Sequence, residues 1–266
     1  MGEISFSEGT LFGYFFSGVI CLVLPAAVFL YLVKYRSSRI YPVITGAVVY
    51  YVSTTLCDLT ANLMGFSMSY GNRIVIATEL VCIFEEGGRW LAMRYPITDI
   101  KNTRSAVCYG IGHGGLECFI RGFQKFKLFG YGRQINSRGL YNFITGKSEE
   151  QVLAIEKQLR IYADHPLYVS LLDSLHSLTA FSVQIALSLL IYKKMSETDK
   201  ELRWVLIAIG LHYGLNGAGW LASLTENPVF TNIVGIICGA AVTVFVFRQI
   251  GLRNCVCAIK HPEYDE

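Results

Sequence analysis

Apolar runs about as long as a bilayer is thick alternate along this chain with short charged connections, and that alternation predicts helices that cross a membrane. The runs cover residues 11–33, 41–66, 73–93, 104–122, 165–192, 203–224 and 228–249. They predict an all-α polytopic transmembrane bundle of about seven spans, a single integral-membrane domain over residues 1–266. The run at 104–122 is rich in glycine (Gly110, Gly112, Gly114, Gly115), poor material for a helix in water. In lipid the backbone amides have no other partner and glycine lets neighbouring helices close in, so helix is still the expectation.

Charge sets the orientation. Glu3 and Glu8 precede the first run while Lys34, Arg36 and Arg39 follow it, the reverse of a cleavable signal peptide. Lys and Arg number three in 34–40, three in 94–104, four in 193–203 and three in 248–266, all on one side of a seven-span chain. The positive-inside rule then places the N-terminus outside and the C-terminus in the cytoplasm. Residues 123–164 form the one long polar connection, an extracytoplasmic loop. Within it Ser148 to Gln151 reads as a capping box, followed by Val152, Ile155, Leu159 and Tyr162 at helical spacing. This predicts an amphipathic surface helix, with a lid or substrate-docking role as its functional alternative.

Composition narrows the classes. Hydrophobic residues make up 53% of the chain and charged residues 16%, and the mean hydropathy is +0.42. The net charge of +3 comes from residues that orientation already explains, so nucleic-acid binding is discarded. The eight cysteines lack the paired spacing of a zinc ribbon or disulfide frame. Cys255 and Cys257 form a CxC that suits metal and palmitoylation equally.

The chemistry lies in the polar residues inside the spans, which are costly in lipid unless they meet partners. Asp58 and Asn62, four apart, are expected to turn one face of the second span into the bundle. The third span carries Glu79 and then Glu85, Glu86 and Arg89, where either acid of the pair can reach the arginine. Pro96 marks its exit. At about 1.5 Å rise per residue, Glu86, His113 and His212 lie at a common depth, roughly 12–13 Å from one end of their spans. His113 with Glu117 and His212 with Asn216 each stand one turn apart. A carboxylate and two histidines at one level have two uses. The carboxylate can act as general base on water while histidine or asparagine N–H groups stabilise an oxyanion. The same groups, Glu86, His113 and His212, can instead hold zinc.

These motifs resemble a known superfamily. Glu-Glu-x-x-Arg at Glu85 to Arg89, Tyr109-x-x-x-His113 and His212-x-x-x-Asn216 fall in that order on separate spans. They are similar to the three motifs of the CPBP superfamily, the type II CAAX prenyl endopeptidases and their bacterial relatives. Gly-His-Gly-Gly-x-Glu at Gly112 to Glu117 resembles more narrowly the YhfC-like branch of intramembrane proteases. The resemblance covers about 70–225 as the catalytic core, and implies an intramembrane endopeptidase acting through a glutamate-activated water. It implies Glu86 as the base with Glu85 as neighbour or substitute, and His113, His212 and Asn216 as groups that position water or stabilise the oxyanion. The superfamily's usual three-residue gap before arginine is met from Glu85, whereas Glu86 precedes Arg89 by two residues, so both glutamates stay candidates. Tyr109 stands where phenylalanine is common. His176 lies outside the three motifs and, with Glu117 and Tyr109, is a supporting candidate.

The preferred expectation is therefore a glutamic-type protease without cofactor, with zinc as the alternative. Its partners are the lipid bilayer and a membrane-associated peptide or protein substrate, and its place the bacterial cytoplasmic membrane. A non-catalytic membrane scaffold and an ion-coupled transporter are the other classes. The lack of an internal repeat disfavours the transporter.

Overall fold

A computed structural model describes residues 4–36, 40–64, 70–95, 102–197 and 200–251. The side chains of Arg73 and Glu79, together with Pro96, Cys255 and Cys257, lie outside the described residues. Among the described residues there are nine helices: α1 (Glu8–Arg36), α2 (Tyr41–Met64), α3 (Tyr70–Arg94), α4 (Thr103–Arg138), α5 (Tyr141–Ile144), α6 (Glu149–Ala163), α7 (Leu167–Glu197), α8 (Glu201–Ser223) and α9 (Pro228–Ile250). No strand occurs among them. The chain is an all-α membrane bundle.

By length and composition α1, α2, α7, α8 and α9 qualify as membrane spans. Large apolar side chains on these helices face outward, among them Phe12, Val23, Tyr51, Leu206 and Ile237. An outward apolar surface of this extent suits lipid and not water. Helices α3 and α4 carry more polar residues.

Helix α4 is the axis of the fold, packed by α1, α2 and α7. Every residue from Ser105 to Gly114 is buried. Its glycines explain how three helices crowd one. A Cβ on Gly112 would fall 2.9 Å from Val43 Cα of α2, and one on Gly110 would fall 2.6 Å from Ile185 Cα of α7. Both are below any normal contact, so these approaches require glycine. α4 also overruns its predicted end at 122 and continues to Arg138, so the first part of the expected connection is helix.

The capping box forms as read. Gln151 N–H donates to Ser148 Oγ (3.3 Å) and Ser148 N–H to Gln151 Oε1 (3.1 Å). The apolar stripe of α6 packs on protein. Leu159 joins Ile4, Phe6, Leu11, Tyr14 and Ile135, and the Tyr14 hydroxyl donates to the Tyr162 carbonyl (2.9 Å).

One expectation about the second span is overturned. Asp58 and Asn62 are exposed. The buried face of α2 is Pro42, Gly46, Ser53, Cys57 and Ala61. Each acidic or amide position lies one residue beyond that face and is turned about 100° away from it.

Candidate functional site

Four helices deliver the site. From α3, Glu85, Glu86 and Arg89 are 4%, 0% and 0% exposed, charged groups almost wholly enclosed by protein. Such groups persist only with partners in place. Glu86 is the acid that pairs with arginine, its Oε2 lying 3.2 Å from Arg89 Nε. The guanidinium then reaches α7, where Nη1 donates to the Gln184 carbonyl (2.7 Å) and to Ser188 Oγ (2.8 Å), and Nη2 donates to Gln184 Oε1. A planar fork with five N–H groups suits this many acceptors; lysine would not.

Glu85 takes the histidines. His113 Nε2, from α4, lies 3.0 Å from Glu85 Oε2, and His212 Nε2, from α8, lies 3.9 Å from the same oxygen. His212 bridges the pair, because its Nδ1 lies 2.9 Å from Glu86 Oε1. Gln184 Nε2 donates to Glu85 Oε2 (3.3 Å) and to Glu117 Oε2 (3.2 Å). His113 is wholly buried and held by aromatic rings, Tyr50 at 5.2 Å edge-on and Tyr109 at 6.1 Å. Its Nδ1 and the Tyr109 hydroxyl are buried and have no hydrogen-bond partner among the described residues.

Beside this cluster opens a cleft of about 350 Å³, lined by Gln184, His212, Asn216, Glu117, Arg121 and His176 among others. Asn216 also donates to Cys82 Sγ (3.4 Å). Glu117 is tied to Arg121 (2.7 Å). His176 lies apart from the glutamates, with its Nδ1 3.0 Å from Asn232 Oδ1 and its ring over Gly235. Thus Glu85, Glu86, Arg89, His113 and His212 come into one contact network, while Asn216, Glu117 and His176 line the adjoining cleft. Two members had no assigned role in sequence, Gln184 and Ser188. Their four-residue spacing on one face of a span was the available signal.

A family model described as YhfC intramembrane metalloprotease matches residues 20–238, a stretch that contains every residue just named. The chain belongs to the YhfC family. It is similar to the "Uncharacterized membrane protein YhfC" of Bacillus subtilis (strain 168), 28% identical over 211 residues that cover 74% of this chain and 78% of the relative. No solved structure matches. The chain is an integral membrane protein of a family described as intramembrane metalloproteases.

The YhfC description implies a metal, and the donor types at this site suit zinc. Two imidazole Nε2 atoms face one carboxylate oxygen, and two histidines with a glutamate are an ordinary zinc set. Glu86 stands on the far nitrogen of His212, where a carboxylate fixes the tautomer and direction of a metal-binding imidazole. The set that converges is Glu85, His113 and His212; the set expected from depth alone had Glu86 in the place of Glu85. The fit is one of donor type and direction, since among the described residues no three His, Cys, Asp or Glu side chains stand in metal-holding geometry.

Proposed function

We propose that this protein is an intramembrane endopeptidase that hydrolyses a peptide bond of a membrane-associated protein or peptide in the cleft beside Glu85. The observation that carries the proposal is the convergence of His113 Nε2 and His212 Nε2 on Glu85 Oε2 at the edge of a polar cleft inside an apolar bundle. Seven helices, α1 to α4 and α7 to α9, cross the bilayer with the N-terminus outside and the C-terminus in the cytoplasm. The three motifs belong with those of the CPBP superfamily.

In the metal-dependent form, Glu85, His113 and His212 would hold zinc, which would supply a Lewis acid and a water that ionises near neutral pH. The protein's own groups do the rest. Glu86 keeps Nδ1 of His212 engaged, leaving Nε2 directed at the site. Arg89 fixes Glu86 and anchors α3 to the Gln184 turn of α7. Asn216 presents its amide to the cleft, where an N–H group can meet the oxyanion of a tetrahedral intermediate. Gln184 holds Glu85 and Glu117 at a set separation.

A metal-free reading is favoured by one observation: His113 Nε2, a nitrogen the metal form needs, already stands within hydrogen-bond distance of Glu85 Oε2 (3.0 Å). Here Glu85 takes a proton from water, and His113 and His212 stabilise the charge that develops. Glu86 serves Arg89 in both forms, which makes Glu85 the reacting glutamate, in keeping with its three-residue gap to Arg89.

The test is cleavage of a membrane-peptide library by purified, detergent-solubilised protein, wild type against Glu85→Gln, with and without a zinc chelator. Loss in the variant together with loss on chelation and rescue by zinc supports the metal form. Loss in the variant with full activity under chelation supports the metal-free form. No cleavage under any condition, with Glu85→Gln still complementing a deletion in cells, overturns the protease proposal and leaves a scaffold.

A further inference from the structure

Two facing polar stripes run from the site toward the end of the bundle that carries α6. On α4, His113, Glu117, Arg121 and Lys125 recur at every fourth position, one face of a helix. On α7, Gln184, Ser177 and Asp173 occupy the facing side. The stripes are cross-linked at both ends, by Gln184 with Glu117 and by the Lys125 ammonium with Asp173. Helix α9 adds Asn232, whose amide donates to Asp173 Oδ1 (2.6 Å).

The seam between the stripes is hollow. The cleft of about 350 Å³ beside Glu85 is followed by a cavity of about 210 Å³, and Arg121 and His176 line both. That second cavity is followed by one of about 860 Å³, and Asp173 and Asn232 line both. The last cavity reaches α6 at Lys157 and Gln158 and the α8–α9 turn at Asn227. From Gln184 to Asp173 the seam runs about 16 Å along α7.

We propose that this seam is the route by which water reaches the catalytic site, opening at the α6 end of the bundle. The proposal rests on the site assignment made above, because it gives the hydrolytic water its path. A cavity takes up water when it is both polar and roomy, and a water takes about 30 Å³, so each of these has room for several. Ion pairs explain the charges but not the space: groups that only tied helices together would be packed without voids. Arg121 and His176 flank the neck between the first two cavities. His176 is therefore a lining residue of the route, in keeping with its position away from the glutamates.

The experiment reads accessibility and not catalysis. Ala180→Cys places a thiol in the first cleft, Thr231→Cys places one at the mouth, and Leu175→Cys places one on the outer, lipid-facing side of α7. Each is labelled in sealed vesicles with a charged, membrane-impermeant methanethiosulfonate, after subtraction of the wild-type protein's own cysteines. Ala180→Cys should react on the order of tenfold or more faster than Leu175→Cys, because the charged reagent does not enter lipid. It should react from the side that labels Thr231→Cys. Equal rates at 180 and 175, or labelling of 180 only from the opposite side, would overturn the route. Labelling as expected in a protein that cleaves nothing, with Glu85→Gln still complementing a deletion, would sink the protease reading and leave the route standing. Cleavage with no labelling at 180 would do the reverse.

Discussion

His212 Nδ1 lies 2.9 Å from Glu86 Oε1, joining a residue of α8 to one of α3 across 126 positions of sequence. That contact divides the labour of two adjacent glutamates. Glu86 is spent on His212 and Arg89, and Glu85 is left facing both imidazole Nε2 atoms.

Substitution of the two acids should therefore give different defects. Glu85→Gln is expected to lower cleavage by about 10²-fold or more, the scale of a lost general base, with little change in thermal stability. Glu86→Gln leaves the Arg89 guanidinium buried without its counter-charge, which costs about 3 kcal/mol or more. Thermal melting in detergent beside a cleavage assay checks both, and equal melting temperatures for the two variants would contradict the division.

Gln184→Leu removes a side chain that accepts from Arg89 and donates to Glu85 and Glu117. The buried donors and acceptors left open should cost about 1–3 kcal/mol. Because Gln184 holds Glu85 and does not itself react, kcat should fall more than KM rises. Steady-state kinetics on a single cleaved peptide would show the split.

Packing around α4 gives a matched pair. A methyl group on Gly112 has no room against the Val43 backbone, whereas one on Gly130, also in α4, meets nothing within 4 Å. Gly112→Ala should lose folded protein in the membrane fraction. Gly130→Ala should be neutral or stabilise by about 0.5–1 kcal/mol, since alanine is the better helix former.

A double-mutant cycle tests the seat of His176. A Cβ on Gly235 would overlap its ring, with Cε1 at 2.6 Å and Cδ2 at 2.8 Å. Gly235→Ala should destabilise, and adding His176→Ala should recover part of the loss by freeing the space. Coupling between contacting residues is typically about 0.5–3 kcal/mol, and strict additivity of the two melting shifts would argue against the contact.

The long helices were legible in the sequence because each is a run of lipid-compatible residues punctuated by charge. Ser148 and Gln151 announced α6 through local chemistry, which needs no knowledge of the fold. The end of α4 is not legible in the sequence because the polar stripe of Arg121 and Lys125 reads as a loop until its partners on α7 are known. Asp58 and Asn62 read as inward on the rule that polar groups seek the interior, but α2 gives that face to Gly46, Cys57 and Ala61. The pairing of Glu86 with Arg89 was undecidable at the i+3 and i+4 level. In the structure Arg89 Nε meets Glu86, while its Nη1 is held by Gln184 and Ser188, almost a hundred residues away.

The enclosure of α4 has a consequence for biosynthesis. Glu117 leaves the ribosome 67 residues before Gln184, the α7 side chain that hydrogen-bonds to it. At ordinary elongation speeds of about 5–20 residues per second, that interval is roughly 3–13 s. For that time the most charged helix of the bundle has no α7 to shield its stripe. The nascent chain must hold α4 at the insertion machinery, or among headgroups, until α7 arrives.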